Sequence, residues 1–291
     1  FSLLDEANQP DRLRDRVSRI AVTCGPGLAG CLAIGVSLAK TLGLLWDVPV
    51  VGVNHLRGHA FSPFIKDFGG NHDPFAGVFP HLGLLVSGGN TVLFRLNENH
   101  SLEIIAETMD DAAGEALDKG AKLLGLAYPG GAELEKRAIG GNARAFAFPR
   151  AFPERSEMRF SFSGLKTGLL YALEKMNDEE IRACYADLCA SYQVAAMDQL
   201  VTKTRHALQR GDFASLGLSG GVANNSLLRS MLLDLAREQG VSLLAAETCH
   251  TGDNAAMIAF AAQVDRAKAE GLKSESLTFY PSLRLDQVIP S

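Results

Sequence analysis

The sequence lacks the cysteine pattern of a disulfide-stapled or zinc-ribbon protein. Its cysteines form no closely spaced metal-type pair, and their odd number argues against a complete disulfide framework. Disulfide frameworks belong mainly to oxidising compartments, so this usage predicts a reducing, cytoplasmic location. The five cysteines are Cys24, Cys31, Cys184, Cys189 and Cys249.

An excess of positive charge is also absent. The chain has 33 acidic and 28 basic residues, for a formal net charge of −5. This balance gives no sign of the basic footprint that nucleic-acid-binding domains usually show. We find no apolar run long enough to span a membrane and no signal-peptide core in residues 1–19, and we therefore expect no membrane partner. Because the chain opens on Phe1, we expect the natural start to lie upstream.

What the chain does have is enough apolar material for a large core. It contains 291 residues, of which 47% are apolar, and this suits one or two domains. Short apolar runs alternate with helical patterns, which predicts an α/β fold. We expect Asp110 or Asp111 to cap a helix that ends near Leu124, with Gly125 as its C-cap. The predicted strands cover residues 20–23, 48–53, 82–87, 91–96, 104–107, 215–219 and 242–245. The turn Gly88-Gly89-Asn90 predicts that the third and fourth of these strands form a β-hairpin.

The clearest chemical signal is a pair of histidines four residues apart. His55 and His59 follow a predicted strand, and this spacing places both rings on one helical face, within reach of one metal ion. Asp253 precedes the apolar helix 255–262 and is a candidate third ligand. Two imidazoles and a carboxylate suit a divalent transition metal that keeps open positions. Ordinary polar packing of the two histidines is the alternative.

A single position excludes the interpretation of the two histidines as a metalloprotease motif. In the H-E-x-x-H motif, the glutamate after the first histidine is the general base. This chain has Leu56 there, followed by Arg57. The pattern therefore keeps the metal geometry without the protease chemistry.

Three glycine-rich turns predict a nucleotide site. They cover residues 87–90, 129–131 and 220–225, and the first and third of them follow predicted strands. Glycine allows the backbone to approach a ligand closely, and amides at a helix N-terminus favour phosphate. Neither a Walker A motif nor a Rossmann fingerprint is present, so a P-loop or dinucleotide fold is not supported.

Eight collinear motifs together resemble one family, the tRNA N6-adenosine threonylcarbamoyltransferases, formerly labelled O-sialoglycoprotein endopeptidases. The resemblance covers nearly the whole chain. The motifs are VTCGPGL at 22–28, VNHLRGH at 53–59, LVSGGNT at 85–91, ETMDDAAGEALDK at 107–119, YPGG at 128–131, FSFSGLKT at 160–167, SGGVANN at 219–225 and DNAAMIA at 253–259.

This resemblance implies an actin-like, sugar-kinase and Hsp70 type of fold with two lobes. Residues 1–80 would form the remainder of the first lobe and carry the histidines. Residues 81–262 would form the second lobe with the nucleotide-binding loops, and residues 263–291 would return to the first lobe. The hairpin with which the family begins is missing here, so the resemblance implies an N-terminally incomplete first lobe.

The resemblance also implies an activity, which is transfer of a threonylcarbamoyl group from threonylcarbamoyl-AMP to N6 of adenosine 37 in tRNAs that read codons beginning with A. His55, His59 and Asp253 match the ligands of one Fe²⁺ or Zn²⁺ per chain. The implied protein partners are auxiliary subunits, in bacteria a related non-catalytic subunit and a small ATPase. The positions that match the substrate-binding residues are Leu85, Val86, Ser87, Gly88, Gly89, Asp118, Gly131 and Asn225.

Purely structural or surface roles are the alternative for several of these residues. Asp118 could be a solvated helix acid and Asn225 only a helix cap. Lys166 and Arg150 are candidates for phosphate or tRNA contacts, with a surface charge as the alternative for the lysine. A basic patch that composition conceals could form from Arg137, Arg144, Arg150, Arg155 and Arg159.

Two other functional classes stay open. A small-molecule kinase of the same fold group would use ATP and Mg²⁺, and the His55/His59 pair argues against it. A non-catalytic partner subunit of the family would typically lack the metal ligands, whereas this chain has all three.

Overall fold

The computed structural model describes residues 14–67, 73–265 and 276–289. Within them, seven strands form a two-stranded and a five-stranded sheet, and helices follow or flank both sheets. The strands are β1 (Ile20–Gly25), β2 (Val50–Asn54), β3 (His81–Val86), β4 (Thr91–Leu96), β5 (Leu102–Glu107), β6 (Ser215–Ser219) and β7 (Ser242–Ala245). The helices are α1 (Ala29–Trp46), α2 (His55–Phe61), α3 (Ala113–Leu123), α4 (Gly130–Arg137), α5 (Ser163–Leu173), α6 (Asp178–Ala183), α7 (Tyr185–Leu208), α8 (Ser226–Gln239), α9 (Thr248–Thr251) and α10 (Ala255–Val264).

The chain divides into two compact units. Unit 1 takes the ranges 1–62, 99–101 and 254–291, and unit 2 takes 63–98 and 102–253. The first range of unit 1 carries His55 and His59. The third range begins with Asn254, so Asp253 is the last residue of unit 2.

Unit 1 is built on the parallel pair β1 and β2, in which Ile20 lies opposite Val50. Its core joins these strands and α1 to the described C-terminal segment, since Cys24, Val36 and Val50 cluster with Leu277. Parallel strands need a crossover, and α1 supplies it. Residues 276–289 therefore complete the core of unit 1.

Helix α1 is long and apolar. It has 18 residues with Lys40 as its single charge, and only 22% of it is buried. By length and composition it could cross a membrane, so our expectation that no run reaches that length was wrong. Signal sequences and core helices of soluble proteins share this length and composition.

Unit 2 contains a mixed sheet in the order β5-β4-β3-β6-β7. Strands β3 and β4 form the predicted antiparallel hairpin, and β3 pairs in parallel with β6. The 24-residue helix α7 contributes Tyr192, Met197 and Leu200 to the core. The Tyr192 hydroxyl donates to the carbonyl of Ala116 at 2.7 Å, which satisfies the polar end of this buried ring.

The predicted cap of α3 was wrong. This helix begins after Ala112 without a side-chain cap, and it ends at Leu123 as expected, with Gly125 close behind at φ +73°. The Asp110 carboxylate instead accepts the amide of Phe162 at 2.8 Å and the hydroxyl of Ser163 at 2.8 Å, at the start of α5. Burial alone would raise the pKa of Asp110, but hydrogen bonds from Ser161, Phe162 and Ser163 hold that pKa below its usual value.

A buried histidine, His81, is the first residue of β3. The His81 ring lies 2.6 Å from the Ser215 hydroxyl through Nδ1, and that hydroxyl donates to the carbonyl of Val78 at 2.7 Å. Since the serine hydrogen is already used, Nδ1 must carry the proton and donate. Burial lowers the pKa of His81 to about 3, so the ring is neutral in the fold.

We predict that this histidine makes unit 2 sensitive to acid. Between about pH 6.5 and pH 3, His81 is protonated in the unfolded chain but stays neutral in the folded chain. Its contribution to the free energy of unfolding is therefore complete above about pH 6.5 and is lost as the pH falls below that value. The expected loss is about 1.4 kcal/mol per pH unit below pH 6.5. Urea unfolding followed by far-UV circular dichroism at pH 7.5 and 5.5 measures it. His81→Gln should be less stable at pH 7.5 yet flatter with pH, and an unchanged pH slope would contradict the assignment.

Candidate nucleotide and metal sites

The predicted histidine pair begins directly at the end of β2. Asn54 is the N-cap of α2, and its side-chain oxygen accepts the amide of Leu56 at 2.9 Å. Its side-chain nitrogen donates to the carbonyls of Arg284 at 2.7 Å and Gln287 at 3.2 Å. One asparagine therefore fixes both the start of α2 and the C-terminal segment.

The structure brings the three predicted metal ligands together. The rings of His55 and His59 lie one helical turn apart, with centroids at 4.8 Å and planes at 88°. Asp253 is peptide-bonded to Asn254, whose side chain caps α10 by accepting the amide of Met257 at 2.8 Å. One ligand atom from each of His55, His59 and Asp253 lies within 4.8 Å of the others. This donor set of two imidazoles and one carboxylate fits a divalent transition metal.

A buried ion pair that was not predicted from the sequence holds α2, the helix that carries both histidines. Arg57 and Asp265 are both buried, and two guanidinium nitrogens contact the two carboxylate oxygens, Nη2 at 2.6 Å from Oδ1. The same Nη2 donates to the carbonyl of His100 at 2.7 Å. A Cβ on Gly58 would lie 2.9 Å from Ile258, so glycine permits α2 to pack closely on α10.

Unit 2 contains a cavity of about 510 Å³, which is lined in part by Gly88, Asp118, Lys122, Tyr128 and Gly130. It brings together two of the predicted substrate-binding residues, Gly88 and Asp118. Its volume falls within the range of about 300–1,000 Å³ that is typical of small-molecule sites.

Asp118 and Gly131, both predicted, are joined directly. Oδ1 of Asp118 accepts the backbone amide of Gly131 at 2.9 Å. This bond orders the start of α4, where an orphan amide needs an acceptor. Asp118 is therefore more than a solvated helix acid, and its second oxygen takes no part in this bond.

The turn after β3 is fixed by hydrogen bonds to Ser87. The Ser87 hydroxyl accepts the amide of Asn90 at 3.0 Å, and the Ser87 carbonyl accepts the amide of Gly114 at 3.2 Å. Leu85 and Val86 are fully buried in β3, backbone included, so the structure exposes neither residue to a ligand and their substrate-binding role stays a prediction. No heavy atom lies within 4 Å of a Cβ built on Gly88 or Gly89, which leaves open space beside the turn.

The third glycine turn leads into α8. Asn225 caps this helix by accepting the amide of Leu228 at 3.0 Å. The structure therefore shows its role as a helix cap, while a role in ligand binding stays a prediction. Gly220 has φ +88°, and a Cβ there would lie 2.3 Å from the Val86 carbonyl. Arg229, which was not predicted from the sequence, donates to the carbonyl of Ala223 in this turn at 2.5 Å and to that of Ala246, just after β7, at 2.7 Å. It therefore ties the turn to the end of β7.

Two of the five arginines in the candidate basic patch are paired with acids. Arg150 pairs with Asp198 at 2.8 Å, and Arg159 pairs with Glu157 at 2.7 Å. Lys203, also missed, donates to three backbone carbonyls, those of Phe152, Glu154 and Glu157, so its charge organises this loop internally. Burial lowers the pKa of Lys203. Lys166 lies exposed on α5.

Comparison with solved structures defines the fold. Full-length HypF in its phosphate- and nucleotide-bound form superimposes with a TM-score of 0.59 at 13% identity, covering 89% of this chain and 41% of that chain. HypF of T. kodakarensis gives a TM-score of 0.56 at 16% identity, covering 80% of this chain and 39% of that chain. The chain therefore spans about two fifths of each HypF chain. The mixed α/β architecture is actin-like, which confirms the predicted fold class.

Sequence comparison then gives the family. The model of the tRNA N6-adenosine threonylcarbamoyltransferase family matches residues 3–260. The enzyme of that name from Anaeromyxobacter sp. (strain Fw109-5) is 47% identical over 248 residues, which are 85% of this chain and 72% of the relative. The enzyme from Thermosipho africanus is 38% identical over 277 residues, which are 93% of this chain and 79% of the relative. The chain belongs to this family of acyltransferases, as its motifs predicted.

Proposed function

We propose that this protein transfers the threonylcarbamoyl group of threonylcarbamoyl-AMP to N6 of adenosine 37 in tRNAs that read codons beginning with A. The observation that carries this proposal is the family match over residues 3–260. The chain also retains the whole group of candidate metal ligands, whereas a non-catalytic subunit would be expected to lack it. The most direct location for such an enzyme is the cytoplasm, where tRNA is modified.

His55, His59 and Asp253 would hold one Fe²⁺ or Zn²⁺. When bound, such an ion supplies a Lewis acid for carbonyl or phosphoryl oxygens. Nitrogen-rich donors favour first-row transition metals over Mg²⁺, which prefers oxygen ligands. Asn54 and Arg57 act as positioning residues, because they fix the helix that carries both histidines.

The adenylate would lie in the cavity of unit 2. Asp118 can accept a hydrogen bond from a ribose hydroxyl through the oxygen that does not bind Gly131. The open backbone at Gly88 and Gly89 can approach phosphate and acyl oxygens, where amides stabilise the charge that develops as AMP leaves. HypF, which shares the fold, has been solved in a phosphate- and nucleotide-bound form.

The test is direct product analysis. The protein is incubated with threonylcarbamoyl-AMP, unmodified tRNA and auxiliary subunits, and the digested nucleosides are analysed by mass spectrometry. We expect threonylcarbamoyladenosine at position 37 and release of AMP. ATP-dependent phosphorylation of a small molecule with Mg²⁺, without tRNA modification, would favour the kinase alternative.

The first binding prediction concerns Asp118. Asp118→Ala should weaken binding of AMP, or of a non-hydrolysable threonylcarbamoyl-adenylate analogue, by about 1–3 kcal/mol, because ribose hydroxyls lose their acceptor. Isothermal titration calorimetry measures the change. Asp234→Ala, which removes an exposed acid from α8, is the control and should bind normally. Unchanged affinity of Asp118→Ala would place this residue outside the site.

The second prediction concerns tRNA and the auxiliary subunits. Phosphate contacts supply much of the affinity for a polyanion. Because the net charge is −5 and Arg150 and Arg159 are paired with acids, we expect the lone protein to bind tRNA weakly, with affinity falling steeply as salt rises. Filter binding with and without the auxiliary subunits tests this. Tight binding by the isolated protein at physiological salt would instead support a functional basic patch.

A further inference from the structure

We propose that Glu247, Cys249 and His250 form a second cation site, distinct from the His55/His59/Asp253 group and suited to a thiophilic divalent ion such as Zn²⁺. One ligand atom from each of these three residues lies within 4.8 Å of the others. None of these three residues has a role in the proposed transferase activity.

The short helix α9 holds the three side chains together. Glu247 is its N-cap residue, and the Glu247 carbonyl accepts the amide of His250 at 2.8 Å. At the other end, the Thr251 hydroxyl accepts a hydrogen bond from the Asn224 side chain at 2.7 Å and donates to the Thr248 carbonyl at 2.9 Å. The helix is therefore anchored to the turn that precedes α8, and its ligands do not depend on a free loop.

The ligands are also accessible and available. Glu247 and Cys249 are exposed, with the thiol 4.0 Å from Oε2 of Glu247, so an ion can reach them from solvent. His250 is half-buried, and its Nδ1 is buried with no hydrogen-bond partner among the described residues. Buried imidazole nitrogens are normally satisfied. An imidazole without a hydrogen bond at Nδ1, beside a thiol and a carboxylate, is a suitable metal ligand.

The donor set separates this site from the first. A thiolate, an imidazole and a carboxylate are all ligands of tetrahedral Zn²⁺, and three protein ligands leave one position for water. The first site offers no sulfur. Soft thiolate donors select zinc over the hard cations. The sulfur also supplies a specific readout, because a thiolate bound to Co²⁺ gives a near-ultraviolet charge-transfer absorption that nitrogen and oxygen ligands do not give.

The experiment isolates the second site by removing the first. The metal-free His55→Ala/His59→Ala protein is titrated with Co²⁺ under a non-coordinating reductant, with circular dichroism as the folding check. We expect the thiolate-to-cobalt band to saturate at about one equivalent and to be displaced by Zn²⁺. Cys249→Ser in this background should abolish the band, and His250→Gln should weaken binding at least about tenfold. Cys31→Ser, which changes an exposed thiol on α1, is the matched control and should leave the band intact.

The contrary outcomes are equally definite. Absence of the band, or a band that survives Cys249→Ser, overturns the proposal. Loss of the band in Cys31→Ser does the same, because it assigns the sulfur to another part of the chain. Since the background protein lacks the first site, a negative result here leaves the transferase proposal untouched.

Discussion

Replacing His55 or His59 by alanine is expected to remove one metal equivalent per chain and to reduce threonylcarbamoyl transfer by about a hundredfold or more. The reason is that each variant removes one of three ligands, and a bound Lewis acid contributes several kcal/mol of charge stabilisation. The fold should survive, because the Asn54 cap and the Arg57–Asp265 pair hold α2 independently of the histidine rings. Elemental analysis, transfer assays and circular dichroism measure the three quantities separately.

The control and the contrary result are clear for this pair. Cys31→Ser changes an exposed side chain in the same unit and should keep both metal and activity. If His59→Ala retained the full metal content of the unchanged protein, the ligand assignment would be wrong. If metal were lost while transfer continued at the original rate, the metal would be structural and the proposed chemistry would need another electrophile.

Features encoded over a few residues were predictable from the sequence. The i, i+4 spacing of His55 and His59 fixes their separation wherever a helix forms, and the structure has that helix. The glycine turn at 88–90 between two predicted strands predicted the β3–β4 hairpin, which is present. In both cases the determining contacts lie close in sequence, so no knowledge of the tertiary fold was needed.

Features that depend on distant partners were not predictable. Asp110 looked like the cap of the next helix, but it binds the start of α5 more than 50 residues away, since tertiary contact supplied better donors than the local amides. Lys203 resembled any helix lysine, yet its ammonium group satisfies three carbonyls of a loop about 50 residues earlier. The pairing of Arg57 with Asp265 spans 208 residues and has no local signature.

The second large effect concerns this Arg57–Asp265 pair. Both side chains are almost fully buried, at 4% and 8% exposure, so either single removal leaves an uncompensated charge in the core of unit 1. We expect Arg57→Met and Asp265→Leu each to destabilise unit 1 by about 3–5 kcal/mol. The double variant should recover much of this loss, because it leaves no buried charge unpaired. Arg57 also donates to the carbonyl of His100, so recovery should be incomplete.

The single tryptophan of the chain, Trp46, lies in unit 1 and makes the measurement specific. Its fluorescence during urea unfolding reports unit 1, and the double-mutant cycle gives the coupling energy between the two charges. The matched control is Asp286→Ala, which removes an exposed partner of Arg284 in the same unit and should change stability by less than about 1 kcal/mol. Additive effects in the double variant would show that the two charges do not act as a pair. A strong coupling would show that one buried contact holds the histidine helix to the end of α10. The helix that carries His55 and His59 would then depend on a contact that neither ring makes.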